Sequence, residues 1–149
     1  MLCSCSSTKK WTSVQVEFYQ DYCGGARPSE DMIAEYEKPK ILANEELYLI
    51  SESDKALKIK TDEQGLLKAK LSEGKYRVME AWRYKKATPD HSAPTNYNGA
   101  CLSEEWKKVA MELQVKGGAL TATTTHAIKK NCAWDMPCML EEKKPTPAE

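Results

Sequence analysis

The sequence predicts an all-β fold, an antiparallel β-sandwich of about seven strands with one or two short helices. Alternations of apolar and polar residues with period two recur along the chain, the pattern of half-buried strands. Glycine-containing turn clusters punctuate them, as expected where short strands reverse direction. Only two segments read as helical, and both are brief.

The first alternation is Val14-Gln15-Val16-Glu17-Phe18. After a Gly-Gly turn, Ser29 is placed to cap a short helix through Tyr36, with Glu30 and Asp31 in its positive first turn. Pro39 stops that helix. Leu47 to Ile50 is an apolar, β-prone run, and "KALKIKT" at 55–61 alternates again. Gly65 and Gly74 close two turns, around a strand carrying Leu67, Ala69 and Leu71. The next strand sets Tyr76, Val78, Glu80 and Trp82 on one face, and Arg77, Met79, Ala81 and Arg83 on the other. Residues 85–100 are polar and read as a long loop, of a length that is uncommon in compact domains and is often functional. Ser103 to Trp106 starts a helical turn. Val109 to Val115 then alternates, Gly117-Gly118 supplies a hairpin turn, and "ALTATTTHAI" returns as a β-branched strand. The reading divides the chain into a tether at 1–12, a sandwich at 13–140 and a disordered tail at 141–149.

The stretch 39–78 resembles the carboxypeptidase regulatory-like, or prealbumin-like (transthyretin-like), β-sandwich domains. Thr61-Asp62-Glu63-Gln64-Gly65 stands where that family has a Thr-Asp-x-x-Gly turn. Leu71-Ser72-Glu73-Gly74-Lys75-Tyr76-Arg77-Val78 stands where it has Leu-Pro-x-Gly-x-Tyr-x-Val, with serine and glutamate replacing the proline-rich approach. The resemblance implies a prealbumin-like sandwich whose tyrosine packs inward, and an accessory or adhesive module of an exported protein. The catalytic members of this structural class, the hydroxyisourate hydrolases, end in a Tyr-Arg-Gly-Ser motif that this chain lacks.

At the N-terminus, Leu2-Cys3-Ser4-Cys5 resembles the lipobox of bacterial lipoproteins. That resemblance implies lipid attachment at Cys5, a polar tether after it, and an apolar signal segment upstream of Met1. It also implies a location in the bacterial cell envelope, periplasmic or on the surface. Cys23, Cys101, Cys132 and Cys138 then remain, and in an oxidising compartment four cysteines tend to pair. Three connectivities are open. The short intervening loop favours Cys132 with Cys138, which leaves Cys23 with Cys101.

Composition excludes several functions. The 22 basic and 22 acidic side chains balance, and no basic stripe marks a nucleic-acid binder. With 41% hydrophobic and 30% charged residues the chain has a globular composition. There is no Gly-x-Ser-x-Gly elbow, P-loop or His-Glu-x-x-His motif, so neither an enzyme nor a cofactor is expected. The expectation is a non-catalytic binding or structural module whose partner is an unknown envelope protein or glycan. Arg27, His91 and Tyr97 are its candidate ligand-binding residues, on the assumption that the 23–28 turn, the 85–100 loop and the 132–138 loop meet. The alternative is a periplasmic copper binder, in which His126, Cys132, Met136, Cys138 and Met139 supply soft ligands for Cu(I). A cytosolic protein with free thiols is a third possibility.

Overall fold

Burial follows the period-two pattern closely enough to name the layers from it. In the computed structural model, which describes residues 9–24, 27–117, 119–125 and 128–146, the order of elements is as follows. Strands β1 (Lys10–Gln15) and β2 (Glu17–Gln20) precede helix α1 (Glu30–Glu37), and β3 (Lys40–Ile41), β4 (Glu46–Ser51), β5 (Ala56–Lys60), β6 (Leu66–Leu71) and β7 (Gly74–Glu80) follow. Two short helices, α2 (Ala81–Tyr84) and α3 (Gly99–Glu105), come next, and β8 (Met111–Lys116), β9 (Ala119–Thr125) and β10 (Ile128–Lys130) complete the set.

One layer is a five-stranded antiparallel sheet of order β5-β4-β7-β8-β9. The other consists of the antiparallel pair β1-β6 and a three-stranded sheet β10-β2-β3. Leu47, Leu49, Tyr76, Val78, Met111, Leu113 and Val115 from the first layer share one core with Val16, Leu42, Leu67, Ala69, Leu71 and Ile128 from the second. Tyr76 packs inward, and its hydroxyl donates to the Ser72 carbonyl at 2.7 Å.

Three departures from the sequence reading have local causes. Ten strands form among the described residues instead of about seven. The alternation Val14–Phe18 is shared between β1 and β2 because Val16 leaves the β1-β6 ladder. Its N–H donates to the Gly65 carbonyl and its carbonyl accepts from Leu42, both at 2.9 Å. The sandwich is also not wholly antiparallel: β10 runs parallel to β2, with Lys130 opposite Gln20. Finally, the alternation that included Trp82 and Arg83 stops at Glu80, where the chain turns into α2.

Helix α1 forms where expected, with the Ser29 hydroxyl accepting from Met32 N–H at 3.3 Å. The 85–100 segment is not an open loop. It holds a 3-10 turn at Pro94–Asn96 and the beginning of α3, which starts four residues earlier than Ser103 because the Asn98 side chain caps it from outside. The tail opens with a 3-10 turn, Glu141–Lys143.

Candidate functional site

A second, smaller apolar cluster sits at one end of the sandwich and builds a cap. Tyr97, Leu102 and Met139 are its buried members, with Trp82, Trp106, Met136 and Cys138 packed on them. Its elements are held by polar bonds as much as by apolar contact. Tyr97 and Met139 form an isolated antiparallel bridge, flanked by Asn98 N–H to the Cys138 carbonyl at 2.8 Å and Leu140 N–H to the Asn96 carbonyl at 2.9 Å. The Trp106 indole donates to the Ala87 carbonyl at 2.8 Å. Asp90 accepts from the Tyr97 hydroxyl at 2.6 Å and the Ser92 hydroxyl at 2.7 Å. Burial, together with that bond to Asp90, pushes the Tyr97 phenol up to about 12. Burial works against the Asp90 carboxylate, yet the bonds from Tyr97 and Ser92 hold it below the ordinary aspartate value.

Two disulfides, one inside the cap and one joining the ends of β2 and β10 beneath it, correct the expected connectivity. Cys23 is bonded to Cys132 and Cys101 to Cys138, with Cα separations of 5.6 and 5.5 Å. The parallel β10-β2 pairing is the reason for the first. It brings the ends of both strands together, so Cys132, two residues past β10, meets Cys23, three residues past β2. The Tyr97–Met139 bridge is the reason for the second, since it lays Cys138 against the start of α3.

Between the cap and the end of the five-stranded sheet lies a cleft of about 200 Å³. Trp82, His91, Asn131 and Met136 line it, together with the charged groups of Glu45, Glu80, Arg83, Lys129 and Lys130. Those charges are largely tied to one another. Arg83 bridges Glu80 at 3.0 Å and Glu105 at 2.7 Å, its guanidinium lying 4.3 Å over the Trp82 ring. Lys130 reaches Glu45 at 2.9 Å and Lys129 reaches Asp21 at 3.4 Å. Glu105 is held below the ordinary glutamate value: burial opposes this, but Lys108 and Arg83 outweigh it. The walls offer hydrogen bonds from His91 and Asn131 and the aromatic surface of Trp82. A larger depression of about 670 Å³ lies on the flank of β4, β7 and β8, and its Arg77 is paired to Asp54 at 2.9 Å.

The 132–138 segment touches both of the others expected to meet it: Cys132 is bonded to Cys23, and Asn98 N–H donates to the Cys138 carbonyl. His91 stands at the cleft, placed there by a backbone φ of 61° in the turn that follows Thr88. Tyr97 is 5% exposed and belongs to the cap's interior, where it positions Asp90. Arg27 is exposed, and neither it nor Cys23 is among the described residues that line the cleft. Of the soft-ligand set, Cys132 and Cys138 are in separate disulfides, Met136 lines the cleft and Met139 is buried in the cap. His126 and Cys5 lie outside the described residues. Sequence reasoning does not single out Glu80, Trp82, Arg83 or Lys130 as site residues; the first three fall on a predicted strand, "EAWRY", and leave no site signal there.

No protein-family model matches the chain, and neither a curated protein nor a solved structure matches it.

Proposed function

We propose that this protein is a non-catalytic binding module of the bacterial cell envelope, lipid-anchored through Cys5, on a sandwich of the prealbumin-like or carboxypeptidase regulatory-like kind. The observation that carries the reading is the pair of long-range disulfides, one holding the cap together and one holding the ends of β2 and β10, next to Asn131 of the cleft wall. Two bonded cysteine pairs suit an exported chain. A rim whose side chains are fixed before binding suits recognition, because little ordering remains to oppose it.

The volume limits the ligand. A cleft of about 200 Å³ is below the roughly 300–1,000 Å³ of typical small-molecule pockets. It accommodates one protruding group of a larger partner, such as a single sugar ring of an envelope glycan or one side chain of a protein. Trp82 supplies a face for such a group, and His91 and Asn131 supply hydrogen bonds.

Two measurements test this. Intact mass of the protein made with its natural upstream region, non-reduced and treated with a thiol alkylator, is expected to show a lipidated chain beginning at Cys5 and no alkylation. Alkylated Cys132 and Cys138 would instead return the copper reading, which needs both as thiols. Titration of the folded protein with envelope glycan fragments, followed by NMR, is expected to shift the Trp82 indole and His91 signals. Shifts confined to residues remote from the cleft would remove it as the binding site.

A further inference from the structure

The outer face of the β1-β6 pair has a composition unlike the rest of the surface. Trp11 is 71% exposed, the most exposed large apolar side chain described. The register sets Trp11 opposite Lys70 and Ser13 opposite Lys68, so these side chains share the outward face, while Thr12, Leu67, Ala69 and Leu71 turn inward. Lys9, two residues before Trp11, is exposed ahead of the strand, whereas Lys10 stands opposite Leu71 and so belongs to the other face. Lys68 is paired with Asp62 at 3.5 Å, but among the described residues no carboxylate pairs with Lys9, Lys10 or Lys70. In a chain whose formal charges sum to zero, two unopposed lysines, Lys9 and Lys70, beside a bare indole are a local concentration of positive charge.

We propose that this face docks on an anionic lipid bilayer surface, with Trp11 seated among the headgroups and Lys9 and Lys70 against the lipid phosphates. The proposal rests on the lipid anchor at Cys5, and chain length makes the connection. Only six residue steps separate Cys5 from Trp11, so a fully extended tether places them no more than about 20 Å apart. A lipid at Cys5 therefore keeps this edge of the sandwich close to the bilayer. Tryptophan is amphipathic and settles at the headgroup level, where lysine stems lie along apolar surface while their charges reach phosphate. An acyl anchor gains from such a basic second contact, because one chain alone holds a protein only marginally. Docking on this face leaves β1 and β6 as the membrane-proximal strands.

The test separates the face from the anchor. The full chain with Cys3→Ser is coupled through Cys5 to a maleimide phospholipid, in vesicles of phosphatidylglycerol and phosphatidylethanolamine carrying brominated acyl chains. Matching vesicles of phosphatidylcholine serve as the uncharged comparison. The expected result is quenching in the anionic vesicles that disappears in Trp11→Phe and weakens at high salt. Changing Lys9 and Lys70 together to glutamine is expected to lower the docked-to-undocked ratio by roughly 25-fold, about fivefold per lysine. These residues are exposed, so circular dichroism of each variant is expected to match the parent. Quenching that survives Trp11→Phe, or equal behaviour on the two vesicle types, would overturn the docking face. Because the lipid is attached chemically, absence of natural lipid at Cys5 in the mass measurement would overturn the anchor without altering this readout.

Discussion

Gly65 and Asp62 hold the turn between β5 and β6, and each does so for a separate reason. Gly65 has φ of 75°, and a Cβ there would meet Ile41 Cβ at 3.0 Å and the Val16 carbonyl oxygen at 3.1 Å. Gly65→Ala is therefore expected to destabilise the fold by about 1–3 kcal/mol, through both the left-handed backbone and the closeness of the second layer. Urea denaturation read by tryptophan fluorescence measures it, and an unchanged midpoint would show that the turn yields freely. Asp62 accepts from the N–H groups of Gln64 and Leu66, both at 2.9 Å. The Leu66 N–H is the main reason its carboxyl lies below the ordinary aspartate value. A folded-state pKa depressed in this way adds stability at pH above the unfolded value, and that contribution is lost as pH falls through the folded value. Asp90 and Glu105 act in the same direction. The melting temperature is expected to drop as pH is lowered below about 4. Asp62→Asn, which keeps the acceptor but not the charge, is expected to flatten that slope; an identical acid profile would deny Asp62 its share.

The strands were legible in the sequence because their signal is local. Leu67, Ala69 and Leu71 alternate in the chain and are buried in the structure, as are Met111, Leu113 and Val115. The Ser29 cap and the two glycine turns are local signals as well. Helix α2 was hidden because Glu80, at its N-cap, makes no side-chain capping bond, so nothing in the chain announces the start. Its four residues form because tertiary contacts hold them: Arg83 bonds to both Glu80 and Glu105, and Tyr84 stacks on Tyr48 with ring centroids 4.1 Å apart. The cleft was illegible for the same reason, since its walls come from segments remote in sequence. Arg83→Ala tests how far this element depends on the ion cluster. The side chains of Arg83, Glu80 and Glu105 are 15%, 17% and 14% exposed, so removing the arginine leaves two nearly buried carboxylates without their shared partner. The expected cost is about 2–3 kcal/mol, below the 3–5 of fully buried pairs because solvent still reaches these groups. A double variant with Glu105→Gln is expected to cost less than the sum of the single changes. Strict additivity in chemical denaturation would mean that the three groups act independently.

The two disulfides divide the molecule into parts that respond differently to reduction. Cys23–Cys132 spans 109 residues and joins the ends of β2 and β10, so it closes the whole sandwich on itself. Cys101–Cys138 spans 37 residues and binds only the cap. Limiting the unfolded chain favours the longer loop slightly, giving about 5 against about 4 kcal/mol by loop-closure entropy. The difference in reach matters more than that difference in size. Without the longer bond, the three-residue β10 keeps its short parallel ladder to β2 and the Lys129–Asp21 pair, and loosening there exposes Ile128 and the core it covers. Without the shorter bond, the cap opens while the sandwich core keeps its two layers. Access follows the same division: Cys132 is 4% exposed, whereas Cys101 lies at the surface. Since thiol–disulfide exchange requires the attacking thiolate to reach sulfur, mild reductant is expected to open Cys101–Cys138 first. Alkylation during graded reduction, followed by peptide mass analysis, reads that order directly. At the intermediate stage, hydrogen exchange is expected to speed up across 85–105 and 131–140 while β4, β7 and β8 stay protected. If Cys23–Cys132 opened first, or both bonds opened together with global unfolding, the cap would be an inseparable part of the sandwich core, not a unit attached to it.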